Sequence, residues 1–167
     1  MNLRSNNEAP SRSERTAMKI YRIEDKDGCG PWQCECLASK EAQSLLDDAL
    51  SPLEDREDFP GPARDGLTIT PNTVFGCLGL AQLHEWFPEP AWTTLESLGF
   101  LVVVYDVPPE RVHYGRVQVG FDPGYATTRT ELEKHPPPTD RPAALMSDFA
   151  KAFNDFAQEQ AADGTTP

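Results

Sequence analysis

The chain has 167 residues, enough for one domain, and its 38% hydrophobic and 9% aromatic content is sufficient to fill one core. Its formal net charge is -12, from 27 acidic and 15 basic side chains. Such a charge repels nucleic-acid phosphates and anionic lipid, and no local basic patch offsets it, so we expect no direct nucleic-acid or membrane binding. No apolar run is long enough to span a bilayer and no charged start precedes an apolar signal core, which predicts a cytoplasmic protein.

The N-terminal part of the chain divides into a tail and a first strand. Residues 1–17 are rich in Ser, Asn and Arg and contain almost nothing apolar, so we expect a disordered tail. From Met18 the run MKIYRIED alternates polar and apolar residues as a β-strand does, and it ends in the turn-forming DKDGCGP. The segment QCECLA, after Trp32, is consistent with a short return strand.

A helix and a long loop follow. Ser39 is a suitable N-cap for a helix that runs through Leu50. Its predicted buried stripe consists of Ala42, Leu45, Leu46 and Ala49. The run from Ser51 to Asn72 carries four prolines, which predicts a long irregular surface connection. Such a loop is either a functional lid or a plain excursion, and the sequence leaves both interpretations open.

The most apolar part of the chain lies between Thr73 and Val107, and we expect the rest to fold around it. Two short helical patterns come first, and Gly99 stands where a glycine would end the second of them. The first pattern consists of Leu80, Leu83 and Phe87, and the second of Ala91, Leu95 and Leu98. The run from Phe100 to Val107 predicts a central strand.

The C-terminal third begins with HYGRVQVGFDP, which alternates as one further strand with Val117, Val119 and Phe121 on one face and Arg116 and Gln118 on the other. The last apolar stripe predicts an amphipathic helix that docks on the sheet, a dimer contact being the alternative. Its members are Leu145, Phe149, Ala152, Phe153 and Phe156.

The expected fold class is α+β, a single small domain with a mostly antiparallel sheet, helices packed on it and a C-terminal amphipathic helix. The expected segments are a disordered tail (1–17), an α+β core domain (18–126), a Pro-rich linker (127–141), the C-terminal helix (142–160) and a second disordered tail (161–167).

The cysteines do not match a metal site. Cys29, Cys34, Cys36 and Cys77 form no pair of C-x-x-C motifs and no such motif with spaced histidines. Reduced thiols are therefore expected and no metal is predicted, with a zinc module as the weakest alternative. Elemental analysis for bound zinc distinguishes the two.

Common catalytic signatures are absent from the sequence. There is no G-x-S-x-G elbow, no P-loop, no dinucleotide fingerprint and no paired-histidine metal motif. What the sequence offers is an order of parts: the first strand with IYRIED, a helix, a Pro/Gly-rich loop, then VFGCLGLAQLHEWF and two further strands.

This order resembles the small ADP-ribosyltransferase-like fold of bacterial and phage proteins over roughly Met18 to Asp122. IYRIED looks like the tyrosine-arginine first strand of the toxin-type branch. VFGCLGLAQLHEWF is similar to the aromatic strand and following helix of the compact members. The absence of a Ser-Thr-Ser run on the second strand is a departure from the toxin branch.

The resemblance implies an NAD cofactor, with Tyr21, Arg22, Phe75 and Trp86 as cofactor-binding residues. Arg22 would hold the pyrophosphate or ribose through its guanidinium. The residues also have plain structural interpretations. Arg22 can pair with Glu24 or Asp25, and Tyr21 and Phe75 can serve as packing residues.

Gln118 occupies the position at which the family has a catalytic carboxylate. An amide can hold the ribose but gives much less stabilisation to an oxocarbenium-like transition state. The resemblance therefore implies either transfer of ADP-ribose to a protein or small-molecule nucleophile, or a relative that has lost catalysis. Asp122 and Glu110 are possible substitutes for the carboxylate and are also ordinary turn residues.

A second interpretation belongs to another class of protein. The net charge, the polar tails and the missing catalytic signature also suit a small acidic interaction or inhibitor protein of phage or mobile-element type, with a basic protein as its partner. Attraction between opposite charges weakens under salt, so an association that survives high salt unchanged would argue against this interpretation. The sequence leaves the oligomeric state open.

Overall fold

The computed structural model describes residues 17–33, 37, 39–54 and 56–132. Over these ranges three α-helices are present: α1 (Lys40–Glu54), α2 (Leu80–Trp86) and α3 (Glu89–Ser97). The strands in the same ranges are β1 (Met18–Glu24), β2 (Val74–Gly76), β3 (Leu101–Val107), β4 (Val112–Tyr114), β5 (Val119–Phe121) and β6 (Thr128–Glu131). The predicted α+β class is confirmed, whereas the predicted C-terminal helix and both tails from 1–16 and 161–167 lie outside the described residues.

The strands form two antiparallel sheets. One sheet has the order β1-β3-β6 and the other the order β2-β5-β4. A single bridge between Tyr21 and Cys77 joins β1 to the chain just after β2. Backbone pairing between the two sheets is therefore limited, among the described residues, to this one bridge.

The helix boundaries follow from capping and burial. The Ser39 Oγ accepts a hydrogen bond from the Ala42 N–H at 3.1 Å, so α1 begins where the sequence predicts. Gly99, with φ of 87°, ends α3 in the left-handed region, as predicted. The end of α1 was predicted wrongly. It runs four residues beyond Leu50, through Pro52, because Leu53 is buried in the core.

The buried face of α1 also differs from the prediction. Leu46 is buried as expected, whereas Leu45 is 53% exposed. The buried residues of this helix are Leu46, Leu50 and Leu53. Their spacing follows one helix face, but only the packing partners of α1 decide which of two adjacent leucines lies on it.

Two hydrophobic clusters share the long strands. The helix-side core contains Ile23 and Val102 together with side chains of all three helices. The strand-side core contains Ile20 and Val103 together with side chains of β4 and β5. Successive residues of β1 and β3 thus serve opposite faces of one sheet, as strand alternation requires.

Two stretches fold differently from their sequence pattern. The single strand predicted for HYGRVQVGFDP is wrong. It is a hairpin in which the Gly115 N–H donates to the Gln118 C=O at 2.9 Å, and β4 and β5 pair on either side. Within the expected linker of 127–141, Thr128–Glu131 forms β6 on the edge of β3. Of the possible return strand QCECLA, Gln33 ends a 3-10 turn (Pro31–Gln33), and 34–36 and 38 lie outside the described residues.

No helix within the described ranges is long and apolar enough to cross a membrane.

Candidate functional site

A cavity opens where β1 and β2 separate. At Gly76 the two strands are in close contact, because an added Cβ there would lie 2.6 Å from the Ile20 Cγ2 and 2.8 Å from the Tyr21 carbonyl oxygen. Beyond this contact the strands diverge around a cavity of about 380 Å³. Its residues come from β1, β2, the end of α1, α2, the turn at Pro31–Gln33, the loop after α1 and Gln118. The cavity falls within the size range of small-molecule sites, roughly 300–1,000 Å³.

Arg22 fills the gap between the diverging strands. Its residue exposure is only 5%. The Nη1 donates to the Phe75 carbonyl oxygen of β2 at 2.8 Å, and the Nε donates to the Glu24 carboxylate at 3.0 Å. Burial lowers the pKa of Arg22, and the neighbouring Glu24 raises it and opposes that shift. The guanidinium therefore stays charged, and its bond to Phe75 links β1 to β2.

The Nη2 of Arg22 is less firmly engaged than its other nitrogens. It makes two long contacts, to the Gly28 carbonyl oxygen at 3.5 Å and to the Gln33 Oε1 at 3.4 Å. Gly30 lies against it, because an added Cβ would be 2.8 Å from this nitrogen. A ligand oxygen that displaces the Gln33 side chain would gain a charged donor at this atom.

A buried carboxylate fixes the position of Arg22. Glu24 is 1% exposed and accepts hydrogen bonds from Arg22, from the Tyr105 O–H at 2.9 Å and from the Arg129 Nη2 at 2.7 Å. These partners come from β1, β3 and β6. Burial, followed by the hydrogen bond to Glu24, raises the pKa of Tyr105, so the phenol remains a donor. The network therefore fixes the carboxylate to which the Arg22 Nε donates.

Aromatic rings form the outer wall of the cavity. Trp86 lies edge-on to Trp32, with ring centroids 6.3 Å apart, and edge-on to Phe59, with centroids 5.0 Å apart. Trp32 also contacts Phe87 at a centroid distance of 5.1 Å, although Trp32 is itself 45% exposed. We call Trp32, Phe59, Trp86 and Phe87 the aromatic box. All four rings line the cavity, and two of the ring pairs are inclined by 74° and 65°, so the box offers both ring edges and ring faces to a ligand.

The loop after α1 forms one side of the cavity. Phe59, Gly61 and Pro62 line it, and the Gln118 Nε2 donates to the Pro60 carbonyl oxygen at 3.0 Å. Asp65, which is buried, accepts hydrogen bonds from the Arg116 and Val117 N–H groups at 2.9 and 3.2 Å. The loop thus forms a wall of the site and is held to the β4–β5 turn.

Four of the five sequence-predicted cofactor or catalytic residues line this one cavity. They are Arg22, Phe75, Trp86 and Gln118. Tyr21 is not among the lining residues, and its side chain packs against the helix-side core. Asp122 accepts a hydrogen bond from the Gly124 N–H and Glu110 lies on an exposed turn, so neither lines the cavity.

Several lining residues were not predicted from the sequence. Trp32 and Gln33 lie in a turn, Phe59 lies in a loop and Glu54 ends a helix whose end was misplaced. The sequence did contain a sign that Trp32 belongs to a site. A tryptophan beside Gly30 and Pro31 has few large neighbours in sequence that could bury it. The other three lack any periodic pattern.

The described cysteines show no sign of a metal centre. Burial raises the pKa of the Cys77 thiol well above its ordinary value, so this side chain is protonated and packs in the helix-side core. No group of three or more His, Cys, Asp or Glu side chains suited to a metal ion occurs within the described ranges. Cys34 and Cys36 lie outside them.

One comparison with known proteins gives a match. A family model described as Bacteriophage T4 Y00F protein matches residues 18–135, which is more than half of the chain. No curated protein and no solved structure matches the chain significantly.

Proposed function

The chain belongs to the Bacteriophage T4 Y00F protein family, and from the cavity of this phage protein we propose that it is an NAD-binding relative of the ADP-ribosyltransferases. Its role is to hold NAD, and the transferase reaction is lost or strongly reduced. The proposal is carried by one observation. Arg22, Phe75, Trp86 and Gln118 come from separate places in the sequence and line a single cavity.

The edge of β1 supports recognition of an amide. Tyr21 exchanges both backbone hydrogen bonds with Cys77, so its N–H and C=O point toward β2. In an antiparallel ladder residues two apart point the same way, so the peptide groups of Ile23 also point toward β2 and the cavity. On β2 the Phe75 carbonyl oxygen accepts from Arg22 instead. Ile23 therefore offers a donor and an acceptor, as the carboxamide of nicotinamide requires.

The other groups that line the cavity suit the remainder of the nicotinamide end of NAD. The aromatic box supplies faces and edges against which a nicotinamide ring can pack. Arg22 supplies one charged donor, the Nη2, rather than a bidentate clamp, because its other nitrogens are bonded to Glu24 and Phe75. Gln118 supplies an amide at the cavity wall and is held by Pro60.

The chemistry of Gln118 supports binding rather than turnover. When bound, NAD would supply a glycosidic bond whose cleavage passes through an oxocarbenium-like state. A carboxylate stabilises such a charge, and a neutral amide engaged with a backbone carbonyl does so far less. We therefore expect the residues of this site to orient the cofactor and to leave its bond intact.

Isothermal titration calorimetry with NAD, up to about 1 mM, tests the proposal. We expect saturable binding to the wild-type chain and recovery of intact NAD, with no released nicotinamide on chromatography. Trp86→Leu should weaken binding at least about tenfold by removing a face of the aromatic box. Lys19→Ala is the matched control, because Lys19 is an exposed residue of β1 that pairs with Asp106 away from the cavity.

Absence of heat at the highest NAD concentration would disprove the proposal, and so would equal loss of affinity in the two variants. Rapid release of nicotinamide would disprove the part that concerns catalysis. Circular dichroism of each variant establishes that a loss of binding is not a loss of fold.

A further inference from the structure

The charged side chains around the cavity mouth indicate which charge on a ligand the cavity favours. Two side chains of the lining carry a formal charge, Arg22 and Glu54. The charge of Arg22 is compensated within the protein by Glu24, at 3.0 Å. Glu54 is exposed, and no ion pair joins it to another described residue. Among the lining side chains the uncompensated charge is therefore negative, and Arg56, which lies against the Phe59 ring, places one positive charge beside the lining.

The end of α1 adds to this negative potential. Glu54 is the last residue of α1, and the last turn of this helix contains no basic residue. The carbonyl groups that end a helix carry partial negative charge, which favours a cation nearby. The end of α2 differs, because Arg56 donates to the Glu85 carbonyl oxygen at 2.8 Å and so caps it. The end of α1 thus has an acidic side chain and no basic residue in its last turn, whereas the end of α2 is capped by Arg56.

The aromatic box provides a second feature that favours a cation. Ring faces attract positive charge through their quadrupole, most strongly for tryptophan. The protein already uses this attraction beside the cavity, where the Arg56 guanidinium carbon lies 4.1 Å from the centroid of the Phe59 ring. Trp32 and Trp86 also line the cavity, so a ligand cation that reaches a face of either ring would gain the same interaction.

We propose that Glu54 and the aromatic box make this cavity selective for a positively charged aromatic ring, namely an N-alkylated pyridinium, over a neutral ring of the same shape. The inference rests on the proposed function and deepens it. Oxidised NAD carries such a pyridinium and its reduced form does not, so the cavity distinguishes the two redox states of the cofactor. Glu54 and Trp32 are then specificity-determining residues that no sequence motif indicates.

A pair of small probes tests this selectivity. 1-Methylnicotinamide is the cation, and 1-methyl-1,4-dihydronicotinamide is its neutral form, which differs by one added hydride. Titrations followed through the three tryptophan indole N–H signals in ¹⁵N-labelled protein give both affinities. Trp32 and Trp86 line the cavity and should shift. Trp92 stacks on His84 at a centroid distance of 4.1 Å outside the lining and serves as the internal reference.

We expect the cation to bind the wild-type chain about tenfold more tightly than the neutral probe. Glu54→Gln should reduce affinity for the cation several-fold and leave that for the neutral probe unchanged. Trp32→Leu should likewise reduce the ratio of the affinity for the cation to the affinity for the neutral probe. Asp48→Asn is the matched control, because Asp48 is an exposed carboxylate of the same helix that does not line the cavity.

Equal affinities for the two probes in the wild-type chain would overturn the inference, as would absence of binding by either probe. It would also be overturned if Asp48→Asn weakened cation binding as much as Glu54→Gln does, since general acidity would then be the cause. The two proposals can fail separately. Cation preference without NAD binding refutes the proposed function alone, and NAD binding without cation preference refutes the selectivity alone.

Discussion

Glu24 shows how one buried side chain sets the geometry of the site. It lies two residues from Arg22 on the same face of β1 and joins Arg22 of β1 to Arg129 of β6 through a single carboxylate. Two guanidinium groups and one phenol share this acceptor. Removal of one partner from a buried ion network is costly because the others remain without compensation.

We predict that Glu24→Gln destabilises the fold by about 3–5 kcal/mol, since Arg22 then keeps a buried charge without a counter-ion. The measurement is the free energy of unfolding in urea. Glu131→Gln is the control. Glu131 is the exposed partner of Arg129, at 2.8 Å, and its loss should cost less than about 1 kcal/mol. Equal costs in the two variants would contradict the role assigned to Glu24.

The loop after α1 and the β4–β5 turn act as one unit at the scale of the elements. Asp65 of the loop accepts from two successive N–H groups of the turn, and Gln118 of the turn donates back to Pro60 of the loop. Gly115 is required at the turn, because an added Cβ would collide with the Asp65 carboxylate. The side of the cavity that contains Phe59 is therefore positioned by the hairpin.

Asp65→Asn should loosen this loop without unfolding the sheets. An amide has one acceptor oxygen and presents donors to the N–H groups of Arg116 and Val117, at a cost of about 1–3 kcal/mol. We expect faster hydrogen exchange at these two amides and faster tryptic cleavage after Arg64. Asp58→Asn, an exposed change in the same loop, should alter neither. Unchanged exchange in Asp65→Asn would show that the loop is held by other contacts.

The whole molecule is tied together by β1 and β3. Each strand contributes alternate residues to the helix-side core and to the strand-side core, as Val102 and Val103 do from adjacent positions. Loss of either strand would therefore disrupt both cores. The two sheets, although joined by one bridge, should therefore unfold together.

Val102→Ala and Val103→Ala test this coupling, since they remove buried methyl groups from opposite faces of β3. Each should destabilise by about 1–3 kcal/mol and shift one shared transition, seen at the same midpoint by far-UV circular dichroism and by tryptophan fluorescence. Leu45→Ala, at an exposed site of α1, should change stability by less than about 0.5 kcal/mol. Separate midpoints for the two probes in either valine variant would contradict a single cooperative unit.

Much of the fold was predictable because its signals are local. The Ser39 cap, the glycine after α3, the alternation of β1 and the apolar run of β3 each depend on neighbours a few residues away, and each is confirmed. The hairpin at Gly115 and the strand β6 were not predicted. Their sequences are compatible with several structures, and pairing with β5 or β3 decides between them.

The candidate site was likewise predictable from the sequence only in part. The sequence by itself determined the class of the fold, the strongly acidic character of the chain and which polar or aromatic residues were worth attention, since composition and short-range periodicity contain that information. The tertiary structure alone decided that Arg22 and Gln118, nearly a hundred residues apart, line one cavity and that Tyr21 is not part of its lining. It also decided that Glu54, Trp32 and Phe59 belong to the lining. The physical reason is that a cavity forms where separate elements fail to pack, so its members are set by long-range contacts that leave no periodic trace in the sequence.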